Sequence, residues 1–159
     1  MTKFLLILHV LVAIVAIGPV TVAASRFPAE ARRALADPGD PGAVSSVRQL
    51  HRICVTYAFV GAAVPVFGFG TASSMGALGS AWLIASIVLT ALAAVALGGL
   101  ILPRQAAIVT ALYAPPAERD PLPGREATVR LAMFTGIFNI LWAVVTILMI
   151  VRPGSTTGA

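Results

Sequence analysis

Charge is scarce in this sequence: 11% of its 159 residues are Asp, Glu, Lys or Arg, against about 25% in an ordinary soluble domain. Hydrophobic residues make up 58%, and the mean hydropathy is +0.95. A chain this short has no soluble interior able to hide that much apolar surface. A water-soluble enzyme and a disordered tail are therefore excluded. Cysteine is nearly absent. Cys54 stands alone, so neither an internal disulfide nor a cysteine-built zinc site can form. Acidic groups are few: Glu30, Asp37, Asp40, Glu118, Asp120 and Glu126. None falls within an apolar run, which counts against a proton relay of intramembrane carboxylates. Walker, Rossmann and HExxH motifs are absent as well.

What is present is a set of uncharged runs. Lys3 and Arg26 bracket 22 uncharged residues, Arg52 and Arg104 bracket 51, and Arg130 and Arg152 bracket 21. A membrane helix needs about 20 apolar residues, so the long middle run holds two. Its small, polar centre at 70–80, GTASSMGALGS, reads as the hairpin between them. Four spans follow, at about 4–24, 51–70, 80–102 and 130–151. All are expected to be helical, because backbone groups in lipid must bond within their own segment. The fold class is thus all-α: a single four-helix transmembrane bundle, with residues 152–159 as a flexible tail.

The net charge of +5 is not a nucleic-acid footprint, because the basic residues sit between apolar blocks, facing lipid headgroups. Nine of the eleven, including Arg26, Arg48, Arg52, Arg104, Arg119, Arg125 and Arg130, fall on the side of the two long connections. Only Lys3 and Arg152 fall on the other. The positive-inside rule then gives an N-out, C-out topology in the bacterial cytoplasmic membrane, with anionic headgroups as partners of the inner side. A cleaved signal peptide is the rival reading of the first run, with a break at Gly18-Pro19 and small residues at 22–24. The charge order opposes it, since one basic residue precedes the run and three follow by position 33.

Between spans 1 and 2, the stretch PAEARRALADPGDPG suits a short cytoplasmic amphipathic helix with Pro28 in its first turn. Ser46 and Gln49 have capping-box spacing for the start of helix 2. His51, Cys54, Ala58, Gly61, Pro65 and Gly68 share one face of span 2, and Pro65 predicts a kink. Spans 1 and 3 offer small faces at His9, Ala13, Ala16, Val20, Ala23 and at Ser86, Thr90, Ala94, Gly98. Span 4 offers a polar seam of Thr135, Asn139, Trp142 and Thr146.

His9 is the one ionisable group well inside a span, and so the candidate cofactor-binding residue. Its readings are a hydrogen bond to a neighbouring helix near Trp142 or Thr146, an axial haem ligand, a copper ligand with Met149, and a proton role. His51 lies near the opposite surface, roughly 20 Å away across a core of about 30 Å, so the two histidines cannot share one iron. His51 with Arg52 and Arg48 forms a basic cluster at the headgroup level, and Tyr57 and Tyr113 read as interfacial anchors.

The segments KFLLILHVLVAIVAIGPVTVAAS and LHRICVTYAFVGAAVPVFGFG resemble a bacterial family of predicted four-helix integral membrane proteins of unknown function. That family is grouped with copper-resistance-protein-D-like bundles and with membrane proteins of the haem-dependent protoporphyrinogen oxidase type. The resemblance implies the fold, the membrane location and an early histidine in span 1, here His9. The function expected is that of a non-enzymatic accessory or assembly subunit, packing on a membrane partner or a second copy. The alternatives are a haem- or copper-handling redox protein using His9, and a small-solute carrier lined by Thr135, Asn139 and Thr146 with His9.

Overall fold

The computed structural model describes residues 2–115 and 122–154. Its helices are α1 (Thr2–Ala36), α2 (Pro41–Gly61), α3 (Ala63–Ser74), α4 (Ala81–Val95), α5 (Leu102–Tyr113) and α6 (Arg125–Val151), with a π-helical turn over Ala96–Ile101 joining α4 to α5. No strand occurs among the described residues. The segments join into four rods long and apolar enough to cross a membrane, Lys3–Ala36, Pro41–Ser74, Ala81–Tyr113 and Arg125–Val151. Arg119, Glu118, Asp120 and residues 155–159 of the expected tail lie outside the described residues.

The rods are longer than the apolar runs suggest. The first three hold 33–34 residues, about 50 Å at 1.5 Å per residue, against a hydrocarbon core of about 30 Å. The separate amphipathic helix expected between spans 1 and 2 does not exist as such. Residues 28–36 continue α1 without interruption, a turn follows at 37–40, and Pro19 and Pro28 both lie inside α1. Pro28 is buried and Pro19 half-buried, and Phe27 and Ala31 on the same stretch of α1 are fully buried. The capping box at Ser46 is likewise replaced. α2 begins at Pro41, and the Asp40 carboxylate accepts from the Gly42 and Ala43 amides. An Asp followed by Pro at the first helical position outcompetes Ser46, because a cap is needed only where the chain enters the helix. The third span runs past Arg104 to Tyr113, and the fourth starts at Arg125, five residues ahead of its apolar run.

The Pro65 kink is present as the break between α2 and α3 at Ala62. Pro65 has no N–H for the Gly61 carbonyl, and the Ala62 amide turns back to Phe59 instead. The break rotates the face read from the sequence. Cys54 is buried and Gly61 half-buried, but Pro65 is exposed and Val64 takes the inward place.

α1 packs on α2 most extensively, and also on α3, α5 and α6. At the end bearing the long connections, α1, α2, α5 and α6 close a ring around Phe27, Val47, Ile108 and Leu131. At the other end α3 sits on α1, α4 sits on α6, and the hairpin is pinned by Ala72, Trp82 and Leu83. Met149 packs into that pin rather than beside His9. Small residues do the close packing, with Ala23 and Ala24 against Cys54. Large apolar side chains such as Phe4, Phe59, Ile84 and Ile140 point outward.

The π-turn sets the register of the third rod. Its inward row runs Ala93, Leu97, Ile101, Gln105, which is three steps of four residues. Three α-helical turns advance only about 11 residues, and the wider turn absorbs the extra one. Of the small face read here, Ser86 is buried but Ala94 and Gly98 are exposed: a strict four-residue spacing drifts off the inward side, which Ala93 takes, and the π-turn rotates Gly98 further. Deleting Gly99, where an added Cβ meets nothing, therefore restores a plain α-helix with Gln105 still inward. Circular dichroism melting in detergent should show a stable fold. Inserting an alanine after Gly99 should lower the melting temperature sharply, because it turns Gln105, Ile108 and Leu112 away from the core by about 100°.

Candidate functional site

Polar side chains inside these rods mostly bond to their own backbone. Ser86, Thr90, Thr135 and Thr146 donate to the carbonyls of Trp82, Ser86, Leu131 and Trp142, one turn back, at 2.7–2.9 Å. Such back-bonding satisfies a hydroxyl where no water is at hand. It also dissolves the seam read along span 4. Thr135 is buried while Thr146 is exposed, so the hydroxyls do not line one path.

Among the described residues, three side chains, His9, Gln105 and Asn139, carry hydrogen bonds between helices. The first is His9, whose Nδ1 lies 3.0 Å from the Val64 carbonyl of α3. A carbonyl only accepts, so Nδ1 is the donor in this bond. The ring lies against Gly68, where an added Cβ would stand 3.0 Å from its Cε1. The helix-to-helix hydrogen bond expected of His9 is therefore present, but on α3 rather than near Trp142 or Thr146. Gly68 is small because the imidazole needs the space.

The second contact was not legible as a site. Gln105 of α5 is fully buried. Its Oε1 lies 3.1 Å from Nδ1 of His51, and its Nε2 donates to Sγ of Cys54 at 3.6 Å. One amide thus joins two residues of α2. His51 and Cys54 were recognisable as a pair one turn apart. Their partner is 51 residues beyond Cys54 and faces them only because of the π-turn. The third contact runs from Asn139 of α6 to Ser25 of α1, Nδ2 to Oγ at 3.0 Å. Two buried atoms on this side, Asn139 Oδ1 and Trp142 Nε1, have no hydrogen-bond partner among the described residues. The Trp142 ring meets Phe138 edge-on.

These contacts do not converge. His51 precedes Val64 by 13 residues on the second rod, so the two imidazoles lie about 20 Å apart along it. No group of three His, Cys, Asp or Glu able to hold a metal occurs among the described residues.

The arginines near the rod ends stack on aromatic rings. Arg48 lies over Tyr113 at 5.5 Å, Arg104 over Phe134 at 4.6 Å and Arg152 over Trp82 at 5.7 Å. Arg104 also donates to the Leu100 carbonyl. Arg48 and Arg52 are both exposed on α2, while His51 is half-buried and turned inward to Gln105. The cluster read from the sequence is thus divided between surface and interior.

Compared with known proteins, the chain matches no family model, no curated protein and no solved structure.

Gln105→Ala should destabilise the bundle by about 2 kcal/mol, because it opens a cavity and strands the His51 N–H. The readout is maleimide labelling of Cys54, the one cysteine, which is buried. Labelling should be slow in the native protein and markedly faster in the variant at the same temperature. Gly68→Val should displace the His9 ring, break its bond to Val64, and cost about 1–3 kcal/mol by overpacking, measured as a lower melting temperature.

Proposed function

We propose that this chain is a non-enzymatic integral protein of the bacterial cytoplasmic membrane, an accessory or assembly subunit rather than a carrier or a redox centre. The observation that carries this reading is the use of its interior polar groups as ties between helices. Gln105 is committed to His51 and Cys54, and Asn139 to Ser25. The outward face of all four rods is large and apolar, suited to lipid and to a partner's helices. The rod ends rich in arginine project into the cytoplasm, with both termini outside, following the positive-inside rule.

A second reading has one observation in its favour. His9 holds its Nδ1 proton on a carbonyl, and its Nε2 has no hydrogen-bond partner among the described residues, the arrangement that orients a metal-ligating imidazole. Haem or copper is the ligand class this reading would take.

One preparation separates the readings. Protein extracted from membranes in mild detergent should be colourless and metal-free, and unchanged in spectrum by His9→Ala. A Soret band or copper near one per chain, lost in His9→Ala, would replace the accessory reading by the cofactor one. Orientation is tested on the same protein. With Cys54 buried, Gly39→Cys should react with an impermeant maleimide only from inside, and Gly154→Cys only from outside.

A further inference from the structure

The inference rests on the membrane reading above and concerns the exposed face of α2. Ser45, Arg48, Gln49, Arg52 and Thr56 recur at helical spacing, and all are exposed. With Tyr57 they line a groove of about 520 Å³. A second groove shares Arg48 and continues to Thr110 and Tyr113 of α5. Each of the polar side chains on the α2 face can donate a hydrogen bond, and none is a carboxylate.

The four acidic groups among the described residues are engaged elsewhere. Glu30 pairs with Arg26 and Arg33, and Glu126 with Arg130. Asp37 and Asp40 accept from backbone amides of their own turn. Arg48 and Arg52 therefore have no acidic partner among the described residues. Arg48 is nonetheless held, by its stacking on Tyr113. Stacking uses the flat face of a guanidinium and leaves its edge N–H groups directed outward as a fork for phosphate oxygens.

Depth selects the ligand. Ala23 and Ala24 of α1, Cys54 of α2 and Leu102 of α5 pack in one layer. Two residues beyond that layer, on each of the three rods, comes an arginine: Arg26, Arg52 and Arg104. The exposed large apolar side chains of α1 end at Val22 and those of α2 begin at Phe59, just short of this layer, so in the membrane reading Arg52 falls at the level of lipid phosphates and Arg48 one turn further out. Thr56 and Tyr57 lie one turn inward, at the level of the glycerol.

We propose that this face of α2 is a binding site for the headgroup of an anionic phospholipid. Arg52 and Arg48 grip its phosphate, and Ser45, Gln49 and Thr56 donate to its remaining oxygens.

The test compares the wild type, the double variant Arg48→Gln/Arg52→Gln, and Arg125→Gln, an exposed arginine away from the groove. Each is titrated in mild detergent with phosphatidylglycerol or phosphatidylcholine and read by native mass spectrometry. The wild type and Arg125→Gln should prefer phosphatidylglycerol. The double variant should lose about fivefold in that preference per arginine removed, at an unchanged melting temperature. Equal preference in the double variant, or an equal loss in Arg125→Gln, would overturn the site. So would displacement of the lipid by millimolar inorganic phosphate or glycerol phosphate, which would assign the groove to a soluble anion. A chain that alkaline carbonate strips from membranes would overturn the membrane reading, and the site with it; an inserted chain with unaltered lipid preference in the double variant overturns the site alone.

Discussion

A polar atom placed among apolar helices has to find its partner within the protein. That constraint shapes this molecule more than any single contact. It keeps the chain helical along each rod, although Pro19 and Pro28 each withhold one backbone donor from α1. It turns hydroxyls back onto their own helices, among them Thr71, Ser86, Thr90, Thr135 and Thr146. Among the described residues it leaves His9, Gln105 and Asn139 as the side chains hydrogen-bonded between rods.

The Gln105 tie shows how local and tertiary structure depend on one another. An amide buried at this depth is costly unless both its ends are bonded. His51 and Cys54 supply both bonds from successive turns of α2. Gln105 reaches them only because the π-turn carries one more residue than an α-helix would. The exposed Gly98 and Gly99 leave that wider turn unhindered. A backbone irregularity and a hydrogen bond are therefore one design, and they lie close to the layer where the rods gain their arginines.

The four apolar rods were plain in the residues, because charge-free runs of membrane length admit few other readings. The Pro65 break was legible for the same kind of reason, a missing N–H at a known position. The helix ends were not. Hydropathy locates where a rod becomes apolar, whereas the helix itself ends where its caps are. Asp40 and the Pro41 that follows begin α2 ten residues before His51 opens the apolar span. The faces were legible where a rod is regular, as at Ala16, Val20 and Ala23 of α1, all buried. They were distorted past Ala62, where Val64 replaces Pro65 inward, and from Ala94 onward, where helical drift and then the π-turn rotate the rod.

By itself, the sequence determined that four helices form, that their outer surface is apolar, and that basic charge gathers at one end. Those outcomes follow from composition and spacing, which act residue by residue along the chain. The tertiary structure alone decided that His9 bonds to α3, that Gln105 rather than any titratable group closes the interior cluster, and that Arg48 rests on Tyr113. Each of these pairs residues dozens of positions apart, and only the packing of whole rods sets which side chains meet.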